Sequence, residues 1–404
     1  MPSHNCMTDT YSNGKDTIRI TQVDLTTVQT RRRTGAVSSH IVLQLQTDSG
    51  ITGIGEISDL DCYRMYMPDP EAVKVGIEKV ALGQNAFEIA GLHQRLMAYM
   101  PSYFRCANTY PPFTPASQIA AGVEMAFFDI VGKAFGTPVH NLLGGRQRDS
   151  FEITYPVFQA KQKSDTERYL GYMDELVAEG VTRFRYYVGV DFSQDEAFLI
   201  AFRERYGDKV ELKALDFQGH HHWKDVLRIY DRFRQYGFEL LESPTYAEDY
   251  EGMAELRKRV EVDISEHISS FAQAMRMIRA NAVDVFNITI QSGGIYQAKK
   301  LFDLAEAAGL KCLISTTQEM SIGTAANAHL AAVIPQLHYA GDPVGPLLYV
   351  DDVVTEKLRY DGTRLIIPQG PGLGFEIDPN LLEKHKAGLV EWDRPAHGAN
   401  YVSN

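Results

Sequence analysis

No stretch of this chain stays apolar for long. Runs such as Leu330–Ile334 stop far short of the roughly 20 residues a membrane-spanning helix needs, so no membrane partner is expected. A CxxC pair is also absent: the four cysteines, Cys6, Cys62, Cys106 and Cys312, are scattered, which argues against a zinc site or a disulfide framework and leaves ordinary thiols. Positive charge is in deficit. The formal net charge is −12, whereas a surface that neutralises phosphates carries a positive footprint, so no nucleic-acid partner is expected. Met1 to Lys15 is polar and has no apolar signal core; residues 1–16 therefore read as a disordered tail, with the cytoplasm as the expected location. There is no internal repeat and no low-complexity run.

What remains is an ordinary globular composition, 44% hydrophobic and 23% charged, over 404 residues. That length accommodates an α/β barrel and a second domain. From Ile18 to Glu56 the pattern is antiparallel sheet: Ile41, Leu43 and Leu45 alternate with polar residues, and Thr47-Asp48-Ser49-Gly50 supplies a hairpin turn. Between Asp69 and Phe135 the period becomes helical, with Ile119, Val123, Ala126, Phe127 and Ile130 three and four apart. Leu142-Leu143-Gly144-Gly145 marks a stop. Beyond it, apolar strands are expected near Ile153–Val157, Arg183–Val188, Val210–Leu215, Glu239–Leu241, Val262–Ile264, Val283–Ile288 and Lys311–Ser315, alternating with amphipathic helices. One of those helices carries a capping-box pattern, Ser193-Gln194-Asp195-Glu196, an apolar face of Phe198, Leu199 and Phe202, and Gly207 as its stop. Seven or eight such units indicate a closed parallel barrel following an α+β module.

In a parallel barrel the loops at the C-terminal ends of the strands converge on one mouth, so polar residues ending apolar strands carry the chemistry. Three successive strands end this way: Lys213-Ala-Leu-Asp216, Glu239-Leu-Leu-Glu242 and Val262-Asp-Ile-Ser-Glu266-His267. Carboxylates and an imidazole on neighbouring strand ends suit a hard divalent cation with open positions. Any one alone is also what a helix cap or a solvated loop charge looks like; three successive strand ends argue against that. One strand earlier, Arg185 and Tyr187 are two apart and share a face. Holding a tyrosine as phenolate near neutrality costs about 4 kcal/mol, and an adjacent guanidinium has the sign required to offset it. The plainer alternative is a tyrosine packed in the barrel interior with its arginine paired to an acid. His220-His221-His222 follows a strand, but three consecutive residues do not all face one ion, so a loop cluster beside the mouth is expected.

These motifs resemble the enolase superfamily over nearly the whole chain, from Ile18 to about Asp378. Thr47-Asp-Ser-Gly-Ile-Thr-Gly-Ile-Gly-Glu56 is similar to the hairpin opening that family's capping domain, Leu142-Leu-Gly-Gly145 to its entry into the barrel, and Gly370-Pro-Gly-Leu-Gly-Phe-Glu376 to the closing segment. The resemblance implies a modified TIM barrel, (β/α)7β, over residues 149–370, a capping domain over 17–148, and a C-terminal segment, 371–404, that returns to the cap. It implies Mg2+ held by Asp216 and Glu242. The usual Lys-x-Lys pair is replaced by Arg185-x-Tyr187, and the His-Asp dyad of mandelate racemase relatives is missing, with Asn287 and Thr316-Thr317-Gln318 in those regions. That pattern is similar to a galactarate dehydratase type within the superfamily. It implies His267 as third ligand beside Glu266, Tyr187 as base activated by Arg185, and a capping-domain tyrosine as general acid, with Tyr110 the first choice and Tyr103 the second. Asn287, Thr317 and Gln318 are then substrate-facing, and Arg33, in the run Arg31-Arg32-Arg33, meets a distal carboxylate. The implied activity is a hydro-lyase that dehydrates an acid sugar, an aldarate such as galactarate, to a 2-keto acid. Dehydration of an aldonate, epimerisation, and a non-catalytic barrel are the alternatives. A homo-oligomer is implied by the resemblance as well.

Overall fold

The computed structural model describes residues 17–58, 70–99 and 114–387, so the terminal tail as well as Tyr103 and Tyr110 lie outside the described residues. Strands β1 (Ile20–Arg31), β2 (Val37–Thr47) and β3 (Thr52–Ile57) form an antiparallel sheet in that order. The expected turn is in place: Gly50 takes φ +81°, a conformation open to glycine, and its N–H donates to the Thr47 carbonyl at 3.1 Å. Helices α1 (Pro70–Ala81), α2 (Ile89–Tyr99) and α3 (Pro115–Phe135) complete this layer, and Ile119, Val123, Ala126, Phe127 and Ile130 are buried in its core with Ile41, Leu43 and Leu45. Helix α3 runs against β3 so closely that a Cβ at Gly55 would lie 2.0 Å from the Gly122 carbonyl oxygen, which is why a residue without a side chain stands there. A short helix, α4 (Val139–Leu142), leads out of the layer.

The chain then alternates strand and helix: β4 (Ser150–Glu152), β5 (Tyr155–Val157), α5 (Lys163–Ala178), β6 (Arg183–Tyr187), α6 (Phe192–Tyr206), β7 (Glu211–Asp216), α7 (Trp223–Phe233), β8 (Leu240–Glu242), α8 (Tyr250–Arg257), β9 (Asp263–His267), α9 (Phe271–Ala280), β10 (Val285–Ile288), α10 (Ile295–Ala307), β11 (Lys311–Ile314) and α11 (Ser321–Val333). Strands β5 to β11 are parallel neighbours in sequence order. The ring is closed by residues 338–342: the N–H groups of His338 and Asp342 donate to Cys312 and Ile314 at 2.9 Å, while Gly341 N donates to Glu152 and accepts Thr154 N at its carbonyl. This stretch is the eighth stave, so the (β/α)7β architecture expected from the sequence is the one observed. The strand expected over Ile153–Val157 starts only at Tyr155, where β5 pairs with β6; just before it, β4 leaves the barrel to pair with β13 (Arg364–Ile366), itself paired with β12 (Tyr360–Asp361). The N-cap of helix α6 lies two residues before the expected one. Asp191 accepts from Ser193 N at 2.9 Å and Gln194 N at 3.3 Å, and Asp195 is instead buried against Tyr186 and Gly189 N.

Helix α12 (Gly345–Leu348) and helix α13 (Pro379–His385) belong to the segment that runs back to the first layer. Leu373 N donates to Asp129 Oδ1 at 2.8 Å, and Ala387 N to the Thr27 carbonyl at 2.9 Å. The cap is also fastened to the barrel from its own side. Glu56, fully buried on β3, accepts from Met320 N and Gly323 N at the start of α11, both at 2.8 Å, and lies 3.0 Å from His40 Nδ1.

Inside α11, His329 Nδ1 lies 3.0 Å from His140 Nδ1, and its Nε2 lies 3.2 Å from the Leu373 carbonyl. Burial, helped by the neighbouring imidazole, pushes the His329 pKa down to about 3. An unfolded chain takes that proton as pH falls below about 6.5, so the native state loses stability on acidification by up to about 1.4 kcal/mol per pH unit. Denaturant unfolding at pH 6.5 and pH 5 is expected to give a fall about 2 kcal/mol steeper in the wild type than in His329→Gln, the integral of that slope over the interval. Equal slopes would show that His329 titrates normally.

Candidate active site

The register of the parallel sheet aligns the chemistry-bearing residues. Tyr187 is the Cα partner of Asp216, and Asp216 of Glu242, across β6, β7 and β8; Glu242 is paired in turn with Ser265, two residues before His267 on β9. Side chains two apart on a strand share a face, so Arg185 joins Tyr187 and all five point into the mouth of the ring. Below them Ala214, Leu240, Val285 and Leu313 plug the interior with apolar side chains. The polar groups above sit on that plug with little solvent: Glu242 is fully buried, and Arg185, Asp216 and His267 are at most 5% exposed.

One guanidinium dominates the geometry. Arg185 Nη2 donates to Tyr187 Oη at 2.8 Å; its Nη1 lies 2.5 Å from Glu242 Oε1, 3.5 Å from Asp342 Oδ2 and 3.8 Å from Asp216 Oδ2. His267 Nε2 stands 3.2 Å from Glu242 Oε1, with its Nδ1 3.3 Å from Ser315 Oγ. Burial alone would raise the Glu242 carboxyl, but Arg185 and His267 outweigh it and hold its pKa down at about 2. Asp216 goes the other way, up to about 7, through burial and the charge on Glu242. Burial opposes the charged form of His267, yet the hydrogen bond and charge of Glu242 raise its pKa. Glu266 is pushed up to about 7 by burial, and turns aside to accept from Ser243 Oγ at 2.7 Å and His267 N at 2.8 Å.

Two carboxylates and an imidazole from adjacent strands are the donor set a hard divalent cation takes. Each has an atom for it. Asp216 uses Oδ1 on Gln218 N, leaving Oδ2 toward the centre; Glu242 Oε2 is buried without a hydrogen-bond partner among the described residues; and His267 Nε2 faces Glu242. Among the described residues no group of three such side chains is already spaced around a cation, because Arg185 Nη1 lies between the carboxylates. The chemistry of the donor set fits a divalent cation, which Asp216, Glu242 and His267 would hold.

Other residues singled out by the sequence are placed less uniformly. Asn287 is the Cα partner of His267, fully buried, with neither amide atom hydrogen-bonded among the described residues, as expected of a group awaiting a ligand. Thr317 is spent on the seam with the cap: its Oγ1 lies 2.6 Å from Ser58 Oγ and donates to Glu319 Oε1 at 3.0 Å. Gln318, at φ +65°, accepts at its side chain from Arg32 Nη1. Arg33 and Arg32 both line the cavity beside Phe158, in different settings. The Arg33 side chain is partly exposed and paired with Glu179 at 2.9 Å, whereas Arg32 is buried and donates to Ser38 Oγ at 2.8 Å. The strand ends at Arg31 and the chain turns at Arg33, so the run supplies a buried cation, Arg32, beside the expected one. In the histidine run, His222 caps α7 and His221 packs on Phe192 and Phe217, a loop cluster as expected.

Three participants escaped the sequence reading. Phe158 stacks on the Tyr187 ring at 5.3 Å and 10°, and lines a cavity of about 680 Å³ together with Arg32, Gln159, Lys161 and Arg168. Lys213, fully buried, donates to Asp342 Oδ1 at 2.7 Å. Its position three before Asp216 gave a signal of sorts, a lysine inside an apolar strand; Asp342 opens the stretch Asp342-Pro-Val-Gly-Pro346, which resembles the galactarate dehydratase type, but its role was not legible, since only the closed ring brings it near Arg185.

Residues 169–381 match the enolase C-terminal domain-like family, and residues 15–144 match the mandelate racemase / muconate lactonizing enzyme N-terminal domain. The chain belongs to the enolase superfamily. Enzymes of this kind use Mg2+ as the catalytic metal. Among its relatives, an N-succinyl-L-Arg/Lys racemase of Bacillus cereus is 28% identical over 352 residues, spanning 85% of this chain and 89% of the relative. A chloromuconate cycloisomerase of Cupriavidus pinatubonensis is 28% identical over 377 residues, 90% of this chain and 96% of the relative. The solved structure of muconate lactonizing enzyme from Pseudomonas putida superimposes with a TM-score of 0.80 at 25% identity, covering 91% of this chain and all of that one. Neither relative nor this structure is named as a galactarate dehydratase, and the likeness to that type rests on the site residues alone.

Mg2+ at about 100 times its dissociation constant is expected to stabilise the wild type by about 2.7 kcal/mol, read as a rise in melting temperature. Asp216→Asn is expected to lose that rise. A variant that responds as the wild type does would remove Asp216 from the ligand set.

Proposed function

We propose that this enolase-superfamily enzyme removes the proton α to a substrate carboxylate, with Tyr187 as the base. The observation that carries the reading is the 2.8 Å bond from Arg185 Nη2 to the Tyr187 hydroxyl, one strand from the Asp216 carboxylate and two from that of Glu242. A fixed positive charge at hydrogen-bond distance favours the phenolate, and Phe158 stacked on the ring keeps water from its face. Mg2+ bound by Asp216, Glu242 and His267 would supply an electrophile for the carboxylate oxygens, where negative charge grows as the proton leaves. The unpartnered Asn287 amide is suited to orient that carboxylate, and Arg32 with Gln318 to receive the far end of the substrate beside the 680 Å³ cavity. The domain division stays as read from the sequence, with the cap over 17–148 and the barrel over 149–370.

Two readings differ in the step after proton removal. The relatives are named as a racemase and as cycloisomerases, which supports an isomerisation or epimerisation that returns a proton to carbon. They support an enzyme over a non-catalytic barrel as well. Dehydration of an acid sugar is the second reading, favoured by one observation. Among the described residues, the strand ends across the ring from Tyr187 carry Asn287, Ser315 and Thr316, amide and hydroxyl groups with no base to serve a two-base epimerisation. In that reading a capping-domain tyrosine, Tyr110 or else Tyr103, protonates the departing hydroxyl.

Incubation with Mg2+ in D2O and a panel of acid sugars, muconates and N-succinyl amino acids is expected to show exchange of the α-proton. Exchange without keto acid selects isomerisation, keto acid selects dehydration, and neither on any carboxylate rejects the reading. Tyr187→Phe is expected to keep the fold by circular dichroism and to lose at least about 10³-fold in rate, the scale of a general base. Near wild-type turnover would exclude Tyr187 from that role.

A further inference from the structure

Strand β7 carries one residue more than its partner requires. Phe184 pairs with Leu212 but Arg185 pairs with Ala214, so Lys213 is an extra residue at a bulge in β7. A bulge re-aims side chains, and here a lysine is directed into an interior otherwise plugged by Ala214, Leu240, Val285 and Leu313. Its ammonium is fully buried and reaches Asp342 Oδ1 at 2.7 Å and the Ala340 carbonyl at 3.2 Å. Asp342, 1% exposed at the end of the closing stave, thus has one oxygen taken by Lys213 and the other, Oδ2, directed at Arg185 Nη1 from 3.5 Å.

At 3.5 Å that hydrogen bond is long and weak, and Glu242 holds the same Nη1 at 2.5 Å. Glu242 cannot serve a guanidinium and a dication alike without bringing two positive charges together in a site of low dielectric. Asp342 is the one remaining carboxylate near Arg185 among the described residues once Asp216 and Glu242 face a metal. Arg185 Nε, buried and without a hydrogen-bond partner among the described residues, shows that the guanidinium is not locked on every side. Lys213 removes the alternative in which Asp342 itself turns toward the metal.

We propose that Asp342, held by Lys213 at the β7 bulge, is a positioning residue: it is the seat that takes Arg185 Nη1 when a divalent cation claims Glu242, so that Nη2 stays on Tyr187. The inference rests on the metal assignment to Asp216, Glu242 and His267 made above, though not on the fate of the substrate. Two measurements without substrate test it. In the double variant Lys213→Met/Asp342→Asn, which leaves no buried charge unpaired, calorimetric titration with Mg2+ is expected to give a dissociation constant about 10–100-fold weaker than wild type, the scale seen when partners of metal ligands are removed. Tyr187→Phe, the control, is expected to bind as the wild type does. Wild-type affinity in the double variant, or a wild type that does not bind Mg2+, overturns the proposal. In the Mg2+-loaded structure the Arg185 Nη1 to Asp342 Oδ2 distance is expected to shorten from 3.5 Å to about 2.9 Å; a guanidinium still on Glu242 overturns it equally. Loss of α-proton exchange alone would remove the proposed reaction and leave these two results standing.

Discussion

Arg185 lies between Glu242 Oε1 at 2.5 Å and Tyr187 Oη at 2.8 Å, with two further carboxylates within 4 Å, in a barrel mouth nearly closed to solvent. Where water screens so little, the number of positive charges fixes which acids are ionised. Glu242 is held low because the guanidinium touches it, and Asp216, farther away and beside Glu242, is driven up. A dication held by Asp216, Glu242 and His267 would compete with Arg185 for the Glu242 carboxylate.

That sensitivity depends on a frame that does not yield. The apolar plug beneath the site prevents the strand ends from collapsing inward, and the cap is tied to the barrel by a buried carboxylate as well as by an apolar seam in which Val28, Val42, Ile54, Met125 and Phe128 join the barrel core. Glu56 occupies the start of α11 while Ser58, next but one along the chain, touches Thr317 at the mouth.

Much of this could be read from residue order. Apolar strands ending in Asp216, Glu242 and His267 were visible because each strand is local and its period is two, and the register that joins them follows from parallel pairing. The pairing of Arg185 with Tyr187 needed only that same period. What could not be read depended on irregularity or on distance. Lys213 looked like a strand residue because a bulge leaves no mark in composition, and Asp342 meets Arg185 across 157 positions. Arg32 was passed over for Arg33 since nothing in three identical letters tells which one is buried, and both line the cavity. At α6, Asp191 outcompeted the capping-box pattern because its carboxylate reaches the first free N–H groups. The substrate was not legible, for it is set by loops and not by the strands that carry the motif.

The ring and the cap are both finished by late parts of the chain. Residues 338–342 shut the barrel against β4 and β11, and Ala387 N reaches back to the Thr27 carbonyl. Without residues 338–342 the seven parallel strands would form an open sheet with bare edges, and the bond that ties Ala387 to β1 spans some 360 positions. A chain stalled before the closing stave would therefore offer the cell an unsealed sheet rather than a finished domain.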